Sequence, residues 1–297
     1  MNRKIVMPLV IAATIFLACS PVKQHIKQDS TIDEKLQAVV DSLLRRQMQE
    51  LDAISGRAIV MEVQTGEIKA SVGNDSILQE SGLTHAATLL TALETGKVKL
   101  SDRVDVGNGE LVIGTDTLRD HNWHRGGYGE LTVMQSFGVA SNIASYQIAK
   151  KVFGNEEDFA KALAKYGYQV KDTSMVYNAI GYGIPTTPMQ NAEFFNTIAR
   201  RSLANEAAAD SMSMVMESSV TKGLAKPAAS NKVRVAGTTG TIRLTEDEYV
   251  AEFCGFFPAE KPQYTILVSI NKKGLPVSGG QMAGSVFSQI VDYMVAP

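Results

Sequence analysis

Hydroxyl side chains that could act in acyl transfer occur at two places in the sequence, and at the first of them an imidazole lies beside them. Ser81, Thr84 and His85 lie in the stretch QESGLTHAATLLTALE, and Ser141 lies in GVASNIASYQ. A histidine can take the proton from a hydroxyl group, and the deprotonated oxygen can then attack a carbonyl carbon. The residue types therefore allow nucleophilic catalysis, with one of the three hydroxyls as nucleophile and His85 as base.

Three other features could carry chemistry, but simpler interpretations are favoured for each. Ser219-x-x-Lys222 places an amine one helical turn from a hydroxyl, yet it precedes a late strand, far from the early core helix, and is interpreted as a chance match. His121-x-x-His124 has no third ligand at a suitable spacing, so the sequence predicts no metal site and no cofactor. Trp123 between these histidines could stack a sugar ring, although lone tryptophans more often pack in the interior.

The elements that must position these residues can be read from periodicity. Thr31-x-x-Glu34 has the form of a capping box, and the apolar spacing that follows predicts an amphipathic helix to about residue 51. Two strand-like runs in GRAIVMEVQTGEIKASVG predict a hairpin. Helical patterns come next, in THAATLLTALETG, in TVMQSFGVASNIASYQIAKKVFG with a break near Ser141 and Asn142, and at residues 156–166 and 189–203. Strands return at residues 233–236, in EYVAEFCGFFP and in QYTILVSINKKG, and the helix SVFSQIVDYMVA closes the chain.

This order of elements predicts an α+β fold. The hairpin and the three late strands should form one antiparallel sheet of five strands, with the helix THAATLLTALE buried behind it and a helical block alongside. Residues 56–297 are interpreted as one domain. The formal net charge is −2, which gives no electrostatic reason to expect nucleic acid as a partner.

The first residues have the form of an export signal. A basic head is followed by an apolar run too short to span a membrane, which predicts a signal peptide over residues 1–18. The stretch FLAC resembles the lipobox of bacterial lipoproteins, so Cys19 is expected to carry the lipid. Residues 19–55 would then form a lipid tether and a lead helix. An ordinary signal peptide with a chance cysteine is the alternative.

The late stretch VRVAGTTGTIRL places small and hydroxyl residues between β-branched segments, as in an edge strand beside a groove. With the order of elements and the stretches GRAIVMEVQTGEIKAS, VASNIASYQIAKKVFG and EFCGFFPAEKPQYTILVSI, it resembles the transpeptidase domain of penicillin-binding proteins and serine β-lactamases. The resemblance implies a β-lactamase/transpeptidase-like fold and a cleft built around three motifs, S-x-x-K, S-x-N and K-T-G.

Each of the three motifs departs from the family pattern. Alignment with the family phrase E-P-G-S-T-x-K puts Leu83 at the serine and Ala86 at the lysine, while a register shifted by one residue puts Gly82 and His85 there. The second motif has Ala140 in place of its first serine and keeps Asn142, and the third has Thr238 in place of lysine. The resemblance implies that Asn142, Thr239, Gly240 and Thr241 bind the ligand. Leu83, Ala86, Ala140, Asn142 and residues 238–241 are expected to converge on one cleft.

The sequence therefore favours a non-catalytic lipoprotein that is anchored to a membrane and faces the periplasm. Its groove would bind a peptidoglycan stem peptide or a protein of cell-wall synthesis. The alternative from another class is an active D,D-transpeptidase or β-lactam-reactive enzyme with an unorthodox nucleophile. A structural scaffold whose groove binds nothing is a third possibility.

Overall fold

A five-stranded antiparallel sheet forms the centre of the fold, as the sequence predicts. The computed structural model describes residues 31–74, 78–171, 174–202 and 205–296, so Cys19 and the signal-peptide segment lie outside the described residues. The strand order is β2-β1-β9-β8-β7, in which β1 is Ala53–Glu62, β2 Ile68–Val72, β7 Ala236–Arg243, β8 Glu248–Phe257 and β9 Tyr264–Lys273. The expected strand at residues 233–236 therefore begins at its last residue and continues through the small and hydroxyl residues that follow.

Two small two-stranded sheets lie outside the central one, and the sequence patterns did not indicate them. In the first, β3 (Arg103–Asp105) pairs with β6 (Glu130–Thr132). In the second, β4 (Glu110–Ile113) and β5 (Asp116–Arg119) form a hairpin. Strands of three or four residues are too short to give a clear periodicity.

Nine α-helices surround the sheet in the described part of the chain. They are α1 Glu34–Leu51, α2 His85–Glu94, α3 Val133–Gly138, α4 Asn142–Phe153, α5 Glu156–Ala164, α6 Met175–Asn178, α7 Pro188–Ala199, α8 Glu206–Lys222 and α9 Ser285–Met294. Among them, α8 was not expected, because its serine, threonine and aspartate content obscures its apolar spacing. None of the described helices is long and apolar enough to cross a membrane.

The lead helix α1 is confirmed, but its cap differs from the sequence expectation. The N-cap is Asp33, whose carboxylate accepts hydrogen bonds from the backbone N–H groups of Lys35 and Leu36. Thr31 instead donates its hydroxyl to the carbonyl of Ile68 on β2. Asp33 prevails because a charged acceptor at a helix N-terminus also interacts favourably with the helix dipole.

Two apolar layers hold the helices against the sheet. One face of the sheet packs against α2, α7 and α8, and the other packs against α1 and α9. Helix α2 is buried along almost its full length, from His85 to Leu93, which confirms the expected position of the helix THAATLLTALE behind the sheet. Because α2 is central, the 3-10 turn Gly82–Thr84 at its start is held firmly against the edge strand β7.

Candidate functional site

A cleft of about 320 Å³ lies where the start of α2, the start of α4 and the edge strand β7 meet. Its lining is mostly small or polar, and within the described residues it includes no lysine, arginine, aspartate or glutamate. The lining residues are Gly82, His85, His121, Ala140, Asn142, Ser145, Ile180, Leu224, Thr239, Gly240, Thr241, Val277, Ser278, Gly279 and Gly280. The lining of the cleft therefore carries little fixed charge, and hydrogen-bonding groups make up most of its polar surface.

The structure brings together most, but not all, of the residues that the sequence placed at this site. Ala140, Asn142 and the three residues Thr239, Gly240 and Thr241 all line the cleft. The other three residues, Leu83, Ala86 and Thr238, are buried and do not line it. The expectation that Leu83 and Ala86 face the cleft is therefore wrong. Thr238 is connected to the cleft only through its contact with the side chain of His85, which lines it.

The correction concerns the register at the start of α2. Leu83 and Ala86 are apolar and belong to the core cluster behind the sheet, so the hydrophobic effect turns their side of the helix inward. Gly82 and His85, also three residues apart, face the cleft instead. The register shifted by one residue is thus the one that the structure realises.

The backbones at Gly82 and Gly240 lie too close together for side chains between them. A Cβ atom built on Gly82 would stand 2.6 Å from the amide nitrogen of Thr241 and 3.0 Å from Cα of Gly240. A Cβ atom on Gly240 would stand 2.6 Å from the amide nitrogen of Leu83. At this end of the cleft, the 3-10 turn and β7 therefore leave no room for a nucleophilic side chain at position 82.

The contacts of His85 indicate that its imidazole is neutral and that its proton is on Nδ1. Its Nδ1 lies 2.6 Å from the carbonyl oxygen of Gly82, which can only accept, so Nδ1 carries the proton. Burial lowers the pKa of His85, and the neutral ring leaves Nε2 as an acceptor. The Thr238 hydroxyl lies 3.3 Å from Nε2 and can donate to it, while Phe137 packs against the ring at a centroid distance of 4.8 Å.

The three hydroxyls that the sequence offered as nucleophiles are buried and point to other partners. Ser81 donates to a carboxylate oxygen of Glu252 at 2.5 Å, and Thr84 donates to the carbonyl of Ser81 at 2.9 Å. Ser141 donates to the carboxylate of Asp120 at 2.7 Å. None of the three lines the cleft. Their hydroxyls hold the local structure together and are not presented to a ligand.

Asp120 positions the start of α4 and was not identified from the sequence. Its carboxylate accepts from the Ser141 hydroxyl and from the backbone N–H groups of Asn142 and Ile143. Burial raises the pKa of Asp120, and these donors lower it in part. The Asn142 side chain donates to the carbonyl of Arg119 at 2.8 Å, so α4 is tied at two points to the loop after β5.

Glu252 is a second buried carboxyl group that the motifs in the sequence did not indicate. It lies on β8 and accepts from Ser81, from Ser269 and from the backbone N–H groups of Gly82 and Leu83. Burial raises its pKa to about 7, although these hydrogen bonds act in the opposite direction. A glutamate inside the apolar run EYVAEFCGFF was the available signal, because a buried charge needs partners.

The remaining motifs have structural positions away from the cleft. Ser219 is buried in α8 and Lys222 is exposed at its last residue, and neither lines the cleft, which agrees with a chance match. His121 lines the cleft but His124 does not, and the described residues include no group of three or more possible metal ligands. Trp123 is exposed, contrary to the expectation that a lone tryptophan packs in the interior.

The fold agrees with the comparisons with known proteins. The family model described as the penicillin binding protein transpeptidase domain matches residues 56–292. The chain therefore belongs to the family of penicillin-binding protein transpeptidase domains.

Individual relatives are distant. Stage V sporulation protein D of Bacillus subtilis is 23% identical over 353 residues, which cover 92% of this chain and 54% of that protein. Peptidoglycan D,D-transpeptidase FtsI of Buchnera aphidicola is 21% identical over 328 residues, which cover 88% of this chain and 56% of that protein. The chain thus spans about half the length of these curated relatives.

A solved structure shows the same fold. The transpeptidase domain of penicillin-binding protein 3 from Burkholderia pseudomallei, in its apo form, superposes with a TM-score of 0.78 at 24% identity. The match covers 89% of this chain and 95% of that domain. The transpeptidase-like α+β architecture that the sequence predicted is therefore confirmed.

Proposed function

We propose that this domain binds peptidoglycan stem peptides without forming an acyl-enzyme. The family membership supports a role at the cell wall. Asn142, Thr239, Gly240 and Thr241 remain the proposed ligand-binding residues, because all four line the cleft. A protein of cell-wall synthesis is the alternative ligand for the same groove. Attachment to the membrane through a lipid on Cys19, on its periplasmic side, is part of the proposal and depends on the sequence alone.

The observation that carries this proposal is the contact between the 3-10 turn and the edge strand. Acyl transfer by this family requires a hydroxyl at the start of the early core helix. Position 82 is a glycine there, and a Cβ atom on it would meet the backbone nitrogen of Thr241 at 2.6 Å. A nucleophile could not occupy that point without movement of the strand, so the absence of a serine is matched by the absence of space for one.

The second candidate function is an acyl-transfer enzyme with a different nucleophile. The contact that favours it is between the Thr238 hydroxyl and Nε2 of His85, since a neutral imidazole can deprotonate a hydroxyl. Thr238 is only 1% exposed, however, and a substrate carbonyl must approach to bond distance for attack. The buried position of this hydroxyl favours the non-catalytic function.

Covalent labelling distinguishes the two functions. The purified domain is incubated with a fluorescent β-lactam and its intact mass is measured; we expect no adduct. Leu83→Ser should also remain unlabelled, because that side chain points into the core. A stoichiometric adduct on the wild type would establish the acyl-transfer function, and loss of the adduct in Thr238→Val would identify Thr238 as its nucleophile.

Ligand binding is measured separately. Synthetic stem peptide is titrated into the domain while the His85 imidazole signals are followed by NMR, because His85 lines the cleft and reports on its occupancy. We expect a saturable shift in these signals. If the His85 signals do not shift at millimolar peptide, the groove does not bind stem peptides and the proposal is wrong.

A further inference from the structure

We propose that the domain has a second binding surface, beside the cleft, for the glycan part of the same polymer. This surface consists of Trp123 and the outer face of the β4–β5 hairpin, which carries Val112, Thr117 and Arg119, and we call it the saccharide surface. The inference extends the proposed function, because it assumes that the domain meets peptidoglycan. The side chains that define the surface are not those that line the cleft.

Trp123 is the only tryptophan in the chain, and 43% of it is exposed to solvent. The guanidinium of Arg119 lies over its ring, 4.9 Å from the centroid, and Arg119 is itself held by Glu110 at 2.7 Å. His124 contacts the ring edge-on at a centroid distance of 6.1 Å. An indole that these two neighbours support and that stays partly exposed offers a flat apolar area to a ligand.

The backbone beneath Trp123 is closely packed. Trp123 begins a 3-10 turn, and its backbone amide donates to the carbonyl of Asp120 at 3.1 Å. Two loops cross under it with no room for side chains, since a Cβ atom on Gly109 would stand 2.9 Å from Cα of Trp123. A Cβ atom on Gly127 would stand 2.3 Å from the amide nitrogen of Gly109. The backbone that carries the indole therefore needs no rearrangement to accept a ligand, which reduces the entropy lost on binding.

The hairpin extends this area along one face. Glu110 is paired with Arg119, and Val112 is paired with Thr117, so these four side chains share one face of the two strands. Val112 is 72% exposed, whereas Leu118 on the opposite face is buried in the core. This face therefore carries the exposed apolar side chain of Val112, the hydroxyl of Thr117 and the ion pair between Glu110 and Arg119.

This pattern fits a saccharide. A pyranose presents C–H groups on its ring face, which can stack on an indole or an isopropyl group, and hydroxyls at its edge, which need donors and acceptors such as Arg119 and Glu110. A protein partner would need about 800 Å² of matched surface, far more than one tryptophan and one valine supply. The net charge of −2 also gives no attraction for nucleic acid.

The surface is connected to the cleft. The carbonyl of Arg119 accepts from the side chain of Asn142, a cleft residue, and His121, two residues before Trp123, lines the cleft. A polymer with a peptide in the cleft could therefore place its sugar on the neighbouring hairpin. Recognition of the peptide and glycan together would exceed the affinity for either part.

Tryptophan fluorescence tests the proposal directly. A tetramer of N-acetylglucosamine is titrated into the domain, and we expect a saturable change in emission, because the single tryptophan lies in the proposed surface. Val112→Glu, at an exposed position that should not disturb folding, is expected to weaken binding about five- to tenfold through loss of an apolar contact. Emission that does not respond at millimolar oligosaccharide overturns the proposal.

Sedimentation with insoluble peptidoglycan provides a second measurement. Trp123→Ala should reduce retention, while Tyr293→Ala, an aromatic of similar exposure on the distant helix α9, should leave it unchanged. Equal retention of Trp123→Ala and the wild type overturns the proposal and makes Trp123 a candidate contact for a protein partner. Stem-peptide binding by the same variants is followed through His85 by NMR in separate samples. Loss of peptide binding in the cleft is thereby distinguished from loss of glycan binding at the saccharide surface.

Discussion

At the scale of single residues, two glycines determine how closely the edge strand approaches the start of α2. Gly82 and Gly240 have backbones in contact, and a Cβ atom on either would have to displace main-chain atoms. A flexible side chain could move aside, but a strand that is hydrogen-bonded along its length cannot do so without loss elsewhere. The closed end of the cleft is thus a property of the backbone as well as of missing functional groups.

We predict that Gly82→Ala lowers the free energy of unfolding by about 1–3 kcal/mol, the range for overpacking of a tight site. Gly82→Ser should cost a similar amount and remain unreactive with β-lactams, because the added Cβ atom causes the clash in both. Urea denaturation gives the stability and intact mass gives the reactivity. Gly138→Ala is the matched control, since its Cβ atom would have ordinary contacts at 3.8 Å and beyond. A stable Gly82→Ser variant that becomes acylated would contradict both the clash and the non-catalytic function.

Glu252 should make the stability depend on pH. Its pKa is raised from 4.5 to about 7 by burial, so between these values the folded chain keeps a proton that the unfolded chain has released. Stability should therefore fall as pH rises from about 4.5 to 7 and level off above, with a contribution of up to roughly 1.4 kcal/mol per pH unit.

The measurement is urea denaturation of the wild type and Glu252→Gln from pH 5 to pH 8. The glutamine variant cannot ionise, so its stability should decline less over this range. The comparison between the two chains removes the contributions of His85 and His121, whose pKa values burial lowers and which are present in both. Parallel pH profiles would show that Glu252 ionises normally.

At the scale of elements, helix α4 depends on a side chain from outside its own segment. Ser141 caps it by accepting from the amide of Ala144 at 3.1 Å, and Asp120 holds both the Ser141 hydroxyl and the amide of Ile143. A carboxylate at a helix N-terminus also meets the positive end of the helix dipole. The cleft residue Asn142 is the first residue of this helix, so its position depends on the same contacts.

We predict that Ser141→Ala lowers the free energy of unfolding by about 1–2 kcal/mol, as removal of a helix cap does. Asp120→Ala should cost more, because it leaves three donors without their acceptor. Ser145→Ala, in the same helix, is the control, since Ser145 only donates to a carbonyl one turn back. Amide hydrogen exchange should show faster exchange at the start of α4 in the first two variants. If the amides at the start of α4 exchange as slowly in these two variants as in the wild type, other groups cap the helix.

The elements of the central sheet were predictable from sequence, but the side-chain directions at the site were not. The hairpin, α2 and the last strands could be located because each is a mostly apolar run that ends at turn residues or a glycine. The first residues of α2 have no such pattern, since the whole helix is buried, and a shift of one residue moved the predicted site from Gly82 and His85 to Leu83 and Ala86. Asp120 and Glu252 were missed because their role depends on partners distant in sequence.

At the scale of the whole molecule, the two proposed surfaces and the proposed anchor belong to different parts of the chain. The cleft and the saccharide surface lie in the domain that the family model matches, residues 56–292. Cys19 precedes it and is outside the described residues. Attachment can therefore be tested without altering either surface.

Replacement of Cys19 by serine should abolish lipid labelling and release the processed protein from membranes, because the described part of the chain has no helix able to span a bilayer. Cells are labelled with a radioactive fatty acid and separated into soluble and membrane fractions. The uncleaved precursor can remain membrane-bound through its apolar signal, so only the processed form is compared. The variant Cys254→Ser is the matched control, since that cysteine is buried in β8, where no lipid could be attached. Lipid labelling that persists in Cys19→Ser, or a processed form that stays on the membrane after a high-salt wash, would show that a different attachment operates.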